Sequence, residues 1–222
     1  MTIPVLTISV LTIDGPSGSG KGTISRRIAL ATGWHLLDSG ALYRLVALAG
    51  VRRGLAEGDT AGHAVLAGSM QVQFGSRPDG GELVLLDGLD VTGAIREETI
   101  SQGASRVAAW PPVREALMDR QQAFAEAPGL VADGRDMGTV VFPAARLKIY
   151  LTASADERAR RRHKQLKDKG SAVSLAALSR EIAERDERDS NRAIAPLKPA
   201  PDAQILDSTG MPIDEVVARV LQ

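Results

Sequence analysis

Cysteine is absent from the 222 residues, so neither a disulfide nor a thiolate metal site can form. Aromatic residues amount to only 3%, too few for the stacked-ring platform that holds single-stranded nucleic acid. Net charge is also missing, with 27 Lys and Arg against 27 Asp and Glu. No global field therefore draws the chain to nucleic acid or to an anionic membrane, and any anion must be gripped locally. Long hydrophobic runs are lacking too. The opening Met1 to Ile13 is apolar, but Asp14 interrupts it well short of a bilayer span, and it has neither a basic first stretch nor a small-residue cleavage site. The expectation is a soluble, cytoplasmic protein acting as a monomer, with no membrane and no nucleic-acid partner. Asn occurs once, as Asn191 followed by Arg192, so the Asn-Lys-x-Asp that reads guanine in GTPases has no place here.

The 44% of hydrophobic residues suffice for one core of ordinary depth with room for a smaller inserted lobe. Val5 to Ile13 reads as a β-strand, Lys21 to Ala31 as a helix closed by Gly33, and Ala41 to about Val51 as a second helix. From Gly54 to Gly68 the texture changes and the periodicity becomes two. Val72 and Phe74, then Leu83 to Leu85, flank Arg77-Pro78-Asp79-Gly80-Gly81 as a small antiparallel hairpin. Helical patterns return over Glu97 to Ala109 and Val113 to Ala127. Leu130 to Asp133 and Leu147 to Leu151 read as buried strands. Charged helices over Ala155 to Lys167 and Leu175 to Asn191 are separated by a flexible Asp168 to Val173. A short strand at Gln204 to Leu206 and an amphipathic helix over Ile213 to Leu221 close the chain. Strands alternating with helices predict an α/β fold with a parallel central sheet covered on both faces.

The strongest motif is Gly15-Pro16-Ser17-Gly18-Ser19-Gly20-Lys21-Gly22-Thr23, set between a strand and a helix. Such a loop lets successive backbone N–H groups converge on phosphate oxygens, adds the helix dipole, and places Lys21 on the outer phosphates. Its departure from the common form is Gly22 where a hydroxyl normally follows the lysine, which puts direct metal ligation by Thr23 in doubt.

Arg158, Arg161 and Arg162 share one helix face, as do Arg185, Arg188 and Arg192. Two such faces could close over phosphates, where one well-placed Arg is worth roughly three to five orders of magnitude in rate. They could equally be solvated salt-bridge faces, because Glu157, Glu181, Glu184, Asp186, Glu187 and Asp189 lie among them. A phosphate acceptor is largely dianionic at neutral pH and needs no general base. That agrees with a chain whose His35, His63 and His163 are scattered and are read as surface or core residues, while Trp34 and Trp110 are read as packing residues.

The P-loop, Asp38-Ser39-Gly40-Ala41-Leu42-Tyr43-Arg44, Ala104-Ser105-Arg106-Val107-Ala108-Ala109, Val113-Arg114, Asp133-Gly134-Arg135-Asp136-Met137-Gly138-Thr139 and Arg185-Asp186-Glu187-Arg188-Asp189-Ser190-Asn191-Arg192 together resemble the bacterial cytidylate kinases, in order and over essentially the whole chain. The resemblance implies a single P-loop NTPase domain of three layers, with a core over about 1–53, 101–153 and 193–222. It also implies a monophosphate-binding insert over about 54–100 and an Arg-rich helical lid over about 154–192. The reaction it implies moves the γ-phosphoryl group of ATP onto CMP or dCMP, with Mg²⁺ as cofactor. By matching position, the P-loop residues with Arg158, Arg161 and Arg162 would hold ATP. Ser39, Arg44, Arg135 and Arg192 would hold the acceptor phosphate, Asp189 the ribose, and Ser105, Arg114 and Asp136 the cytosine. Lys21, Arg185 and Arg188 would be catalytic, and Asp133, with Asp14 as a weaker candidate, would orient water on Mg²⁺. For Asp133 and Asp38 a capping role stays open. Two other readings also remain: a kinase for another monophosphate such as UMP, dTMP or a shikimate-like acceptor, and a non-catalytic ATP-binding regulatory module.

Overall fold

The computed structural model describes residues 8–77, 81–168, 170 and 172–222. In chain order, β1 (Val10–Asp14) leads into α1 (Lys21–Thr32), and β2 (His35–Asp38) runs without a turn into α2 (Ser39–Arg52). Next come α3 (Thr60–Ser69), β3 (Val72–Ser76), β4 (Glu82–Leu86), β5 (Leu89–Asp90), a 3₁₀ turn (Ala94–Arg96), α4 (Glu98–Val107) and α5 (Pro111–Gln122). Then β6 (Leu130–Gly134) and a π-helical turn (Met137–Val141) precede β7 (Leu147–Thr152), α6 (Ala155–Asp168), α7 (Leu175–Ser190), β8 (Gln204–Asp207) and α8 (Ile213–Leu221). Two compact units result, one from residues up to Asp38 and from Gln122 onward, the other from Ser39 to Gln121.

The first unit is built on a parallel sheet in the order β2-β6-β1-β7-β8. Strand alternation decides what each face does. Leu11 and Ile13 of β1, with Val131, Ile149 and Leu151, point to one face, where Ile24 and Ile28 of α1 and Val216 and Val220 of α8 complete a core. Each such side chain contributes about 1.5 to 3 kcal/mol by leaving water. Thr12 and Asp14 point to the opposite face, where they and Lys148 meet Gly138 of the π-helical turn. The register places Ile13 opposite Asp133 and Asp14 opposite Gly134, so β1 and β6 end level and release their loops side by side. In open parallel sheets this carboxyl edge is where ligands bind.

In the second unit α2 packs on α3 and α4, with Leu42, Leu45 and Val46 fully buried. The hairpin pairs Phe74 with Val84, and β5 adds a third antiparallel strand. His63 is buried, donates from Nδ1 to the Asp59 carbonyl (2.7 Å), and meets Trp110 edge to face at 5.2 Å. Both are structural here, and Trp34 likewise lies against Gly129.

The structure departs from the sequence expectation in several places. The unit from Ser39 to Gln121 takes in more than 54–100, because α2 and α4 pack on one another. The stretch expected to have a period of two contains α3, started by Asp59, whose side chain accepts from Gly62 N–H. Helix α5 begins at Pro111, where a missing N–H costs nothing, and stops at Gln122 rather than Ala127. Strand β2 went unforeseen. Val5 to Thr7, the hairpin turn at 78–80, and residues 169 and 171 of the expected flexible stretch lie outside the described residues.

Candidate active site

Helix α1 starts without a side-chain cap: Gly20 occupies the N-cap at φ +94°, a conformation that favours glycine, and no acidic residue sits in the first turn. The Gly20 carbonyl accepts from Thr23 and Ile24 N–H, both at 3.1 Å. An uncapped helix N-terminus behind a Gly-rich loop is an anion cradle. Lys21 Nζ donates to Pro16 O across the loop (3.2 Å). Burial pushes the Lys21 ammonium down to about 7, Arg135 and Arg185 push it the same way, and Asp133 and Asp189 oppose them. Lys21, Arg135 and Arg185 are thus gathered with two carboxylates at the carboxyl edge of the sheet.

Asp189, on α7, pairs with two arginines. Its Oδ2 accepts from Arg135 Nε (2.9 Å) and its Oδ1 from Arg192. Burial works to raise the Asp189 carboxyl, but Arg135 and then Arg192 outweigh it and hold it below the usual carboxylate range. A depressed carboxyl contributes stability that is present above its unfolded pKa, near 4, and lost as pH falls through the lower folded value. Asp189→Asn leaves two buried guanidiniums facing a neutral amide, so it is expected to lower stability at pH 7 by about 3 kcal/mol. Urea melts check this, and the gap from wild type should shrink as pH drops below 4.

Arg158 and Arg161 were expected on ATP, yet both guanidiniums are engaged by protein. Arg158 donates to Ala153 O (3.0 Å) and Ser17 O (3.1 Å), and forks onto Asp186 at 3.0 and 2.6 Å. Arg161 donates to Ser19 O (3.1 Å), Ser208 Oγ (3.1 Å), Ser208 O (2.6 Å) and Glu157 (2.9 Å). Two P-loop carbonyls are therefore held by guanidiniums of α6. Arg162 is half-buried on the same helix. Asp186 was foreseen only as one of many acidic neighbours; its role emerges because α6 and α7 pack together.

Asp133 is buried at the end of β6, and a Cβ at Gly22 would lie 3.3 Å from its Oδ2. The glycine that replaces the usual hydroxyl residue thus makes room for a carboxylate. Asp14, the weaker metal candidate, has both oxygens on backbone N–H groups of Met137 and Gly138. Asp136 follows Arg135 and is 2% exposed.

The other candidates belong to the second unit. Ser39 opens α2, is buried and donates to Gln121 Oε1 (2.6 Å); Arg44 lies further along α2 and is half-buried. Arg114 is buried, with Nη1 on Tyr43 Oη (3.2 Å) and Ala108 O (3.3 Å). Ser105, one helical turn before Ala108, is 5% exposed, and its hydroxyl has no hydrogen-bond partner among the described residues. A buried hydroxyl left in that state costs about 1 to 3 kcal/mol, which a polar ligand can relieve.

The family model for cytidylate kinase matches residues 11–222. A cytidylate kinase of Stutzerimonas stutzeri (strain A1501) is 61% identical over 215 residues, which cover 96% of this chain and 94% of that protein. One from Pseudomonas paraeruginosa (strain DSM 24068 / PA7) is 58% identical over 215 residues, covering 96% and 94%. One from Shewanella loihica (strain ATCC BAA-1088 / PV-4) is 57% identical over 212 residues, covering 96% and 92%. With a P-loop on a parallel sheet and a match of this extent, the chain belongs to the cytidylate kinase family.

Proposed function

We propose that the protein transfers the γ-phosphoryl group of ATP to CMP, and to dCMP, giving ADP and the corresponding diphosphate. The observation that supports this best is the gathering of Lys21, Arg135 and Arg185 beside the uncapped start of α1, with no histidine among them. Phosphoryl transfer to a dianionic acceptor requires that arrangement: positive groups for the transferring oxygens and no proton-abstracting base. The P-loop N–H groups and Lys21 would hold the β- and γ-phosphates. Arg158 and Arg161 would serve the same site by fixing the loop, with Arg162 reaching the triphosphate. Arg185 and Arg188 would stabilise the transferring group. Arg135 and Arg192, already paired to Asp189, would grip the acceptor phosphate.

Mg²⁺ fits the donor set. Among the described residues no cluster of three or more His, Cys, Asp or Glu is present. This suits an ion that keeps its waters and takes phosphate oxygens, with Asp133 orienting one of those waters. When bound, it would neutralise charge developing on the β- and γ-oxygens.

Cytosine offers an amino donor that the Asp136 carboxylate would accept, whereas uracil would turn a carbonyl toward Asp136. Asp136→Asn is expected to lower the ratio of kcat/KM for CMP over UMP by about tenfold or more, since one mispaired polar contact is worth about 1 to 3 kcal/mol. An unchanged ratio would place base reading elsewhere. A coupled ADP-release assay across CMP, dCMP, UMP, dTMP and shikimate tests the acceptor itself. CMP should give the highest kcat/KM, and faster turnover of another acceptor would displace this reading.

A further inference from the structure

Asp14 stands at the end of β1, next to the P-loop and within electrostatic reach of Lys21 and Arg135, but its hydrogen bonds go elsewhere. Its carboxylate is turned to the other side of the sheet and is 5% exposed. Oδ1 accepts from Met137 N–H at 2.9 Å and Oδ2 from Gly138 N–H at 2.8 Å. These are the first two residues of the π-helical turn over Met137–Val141, for which Asp136 is the N-cap and makes no side-chain cap bond of its own. π-Helical turns are rare and concentrate at functional sites. The turn is also closely backed: a Cβ at Gly138 would come within 2.9 Å of Thr12 Oγ1, 3.2 Å of Lys148 Cδ and 3.4 Å of Asp14 Oδ2.

A buried carboxylate is an expensive way to cap a turn. Burial pushes the Asp14 carboxyl up to about 6, against the opposing pull of the Gly138 and Met137 N–H groups. An asparagine of the same shape would be cheaper to bury, but it accepts through one oxygen only, and its amide NH₂ would meet the second N–H as donor against donor. Only a carboxylate satisfies two adjacent N–H groups, one with each oxygen. What this double bond fixes is the start of the turn, and with it the backbone from which Asp136 projects.

We infer that Asp14 is a positioning residue for base selection, which anchors the turn after Asp136 so that the Asp136 carboxylate keeps the place from which it distinguishes a cytosine from a uracil. This rests on Asp136 as the base reader in the proposed function. A purely structural carboxylate would alter stability, or the ATP side through the adjoining P-loop, without altering the choice between pyrimidines.

The experiment compares wild type, Asp14→Asn and Asp136→Asn for kcat/KM with CMP and with UMP, for KM of ATP, and for thermal unfolding. Asp14→Asn is expected to lower the CMP to UMP ratio by about fivefold or more while the KM for ATP stays within about twofold. If Asp136→Asn lowers the ratio and Asp14→Asn leaves it at the wild-type value, the inference is overturned while the base-reader assignment stands. If Asp136→Asn itself leaves the ratio unchanged, that assignment falls and takes the inference with it. Should the Asp14→Asn protein fail to fold, Gly138→Ala decides: its Cβ displaces the same turn without touching the carboxylate's charge, and it should lower the ratio in the same direction. An unchanged ratio in that variant would count against Asp14 equally.

Discussion

Lys21→Ala is expected to reduce kcat by about a thousandfold, the upper range for removing one preorganised donor from a developing oxyanion. The effect should be catalytic rather than structural. Lys21 sits with Arg135 and Arg185, and burial has already brought its ammonium down to about 7. A lysine whose folded pKa is depressed favours folding only above its unfolded pKa, and that advantage is lost as pH falls through the folded value. At pH 7 the ammonium is therefore a burden on the free protein, and Lys21→Ala should unfold at no lower temperature than wild type. Phosphate oxygens would reverse the preference by restoring the charged form. ATP binding at pH 8 should then take up about one proton, and at pH 6 close to none. Titration calorimetry in buffers of different ionisation enthalpy measures this, with Lys21→Ala as the control for the nucleotide's own protons. Equal uptake in wild type and variant would remove Lys21 from the phosphates.

Arg188→Lys is expected to lower kcat by about a hundredfold to a thousandfold with little change in the KM for CMP. Helix α7 is capped by Ser174, whose side chain accepts from Ala177 N–H at 3.2 Å, and its last turns carry the arginines. The two Asp neighbours of Arg188 are already committed, Asp186 to the fork of Arg158 and Asp189 to Arg135 and Arg192. The exposed Arg188 guanidinium can therefore meet a ligand. Lysine keeps the charge but loses the planar, bidentate fork that matches phosphate oxygens. A loss confined to kcat marks a contact made in the transition state, whereas a rise in KM alone would make Arg188 a binding residue.

Much of this architecture is legible in the sequence, and the exceptions have physical causes. The P-loop, the strand ending at Asp133 and the charged helices α6 and α7 could be read because glycine spacing, β-branched runs and helical periodicity are local signals. Strand β2 could not, since four residues passing straight into α2 offer no turn residue to mark the change. Helix α3 was masked by Gly62 and Gly68, which dilute the apolar spacing that tertiary packing later exploits. At the site, the residue types were readable but the division of labour among arginines was not. Arg158, Arg161 and Arg188 look alike in sequence, and only the fold shows that the first two are spent on Ser17 and Ser19 carbonyls. Asp14 was similarly ambiguous, because its partners lie more than 120 residues along the chain at Met137 and Gly138.

In the proposed reaction, protein cations would hold an ATP and a pyrimidine monophosphate so that phosphate attacks phosphate without a base. ³¹P NMR of purified protein with Mg·ATP and CMP tests this directly: signals of CDP and ADP should grow together, in equal amounts, at the expense of the γ-phosphate of ATP. ATP consumed to ADP and inorganic phosphate with no CDP, or no consumption at all, would contradict it.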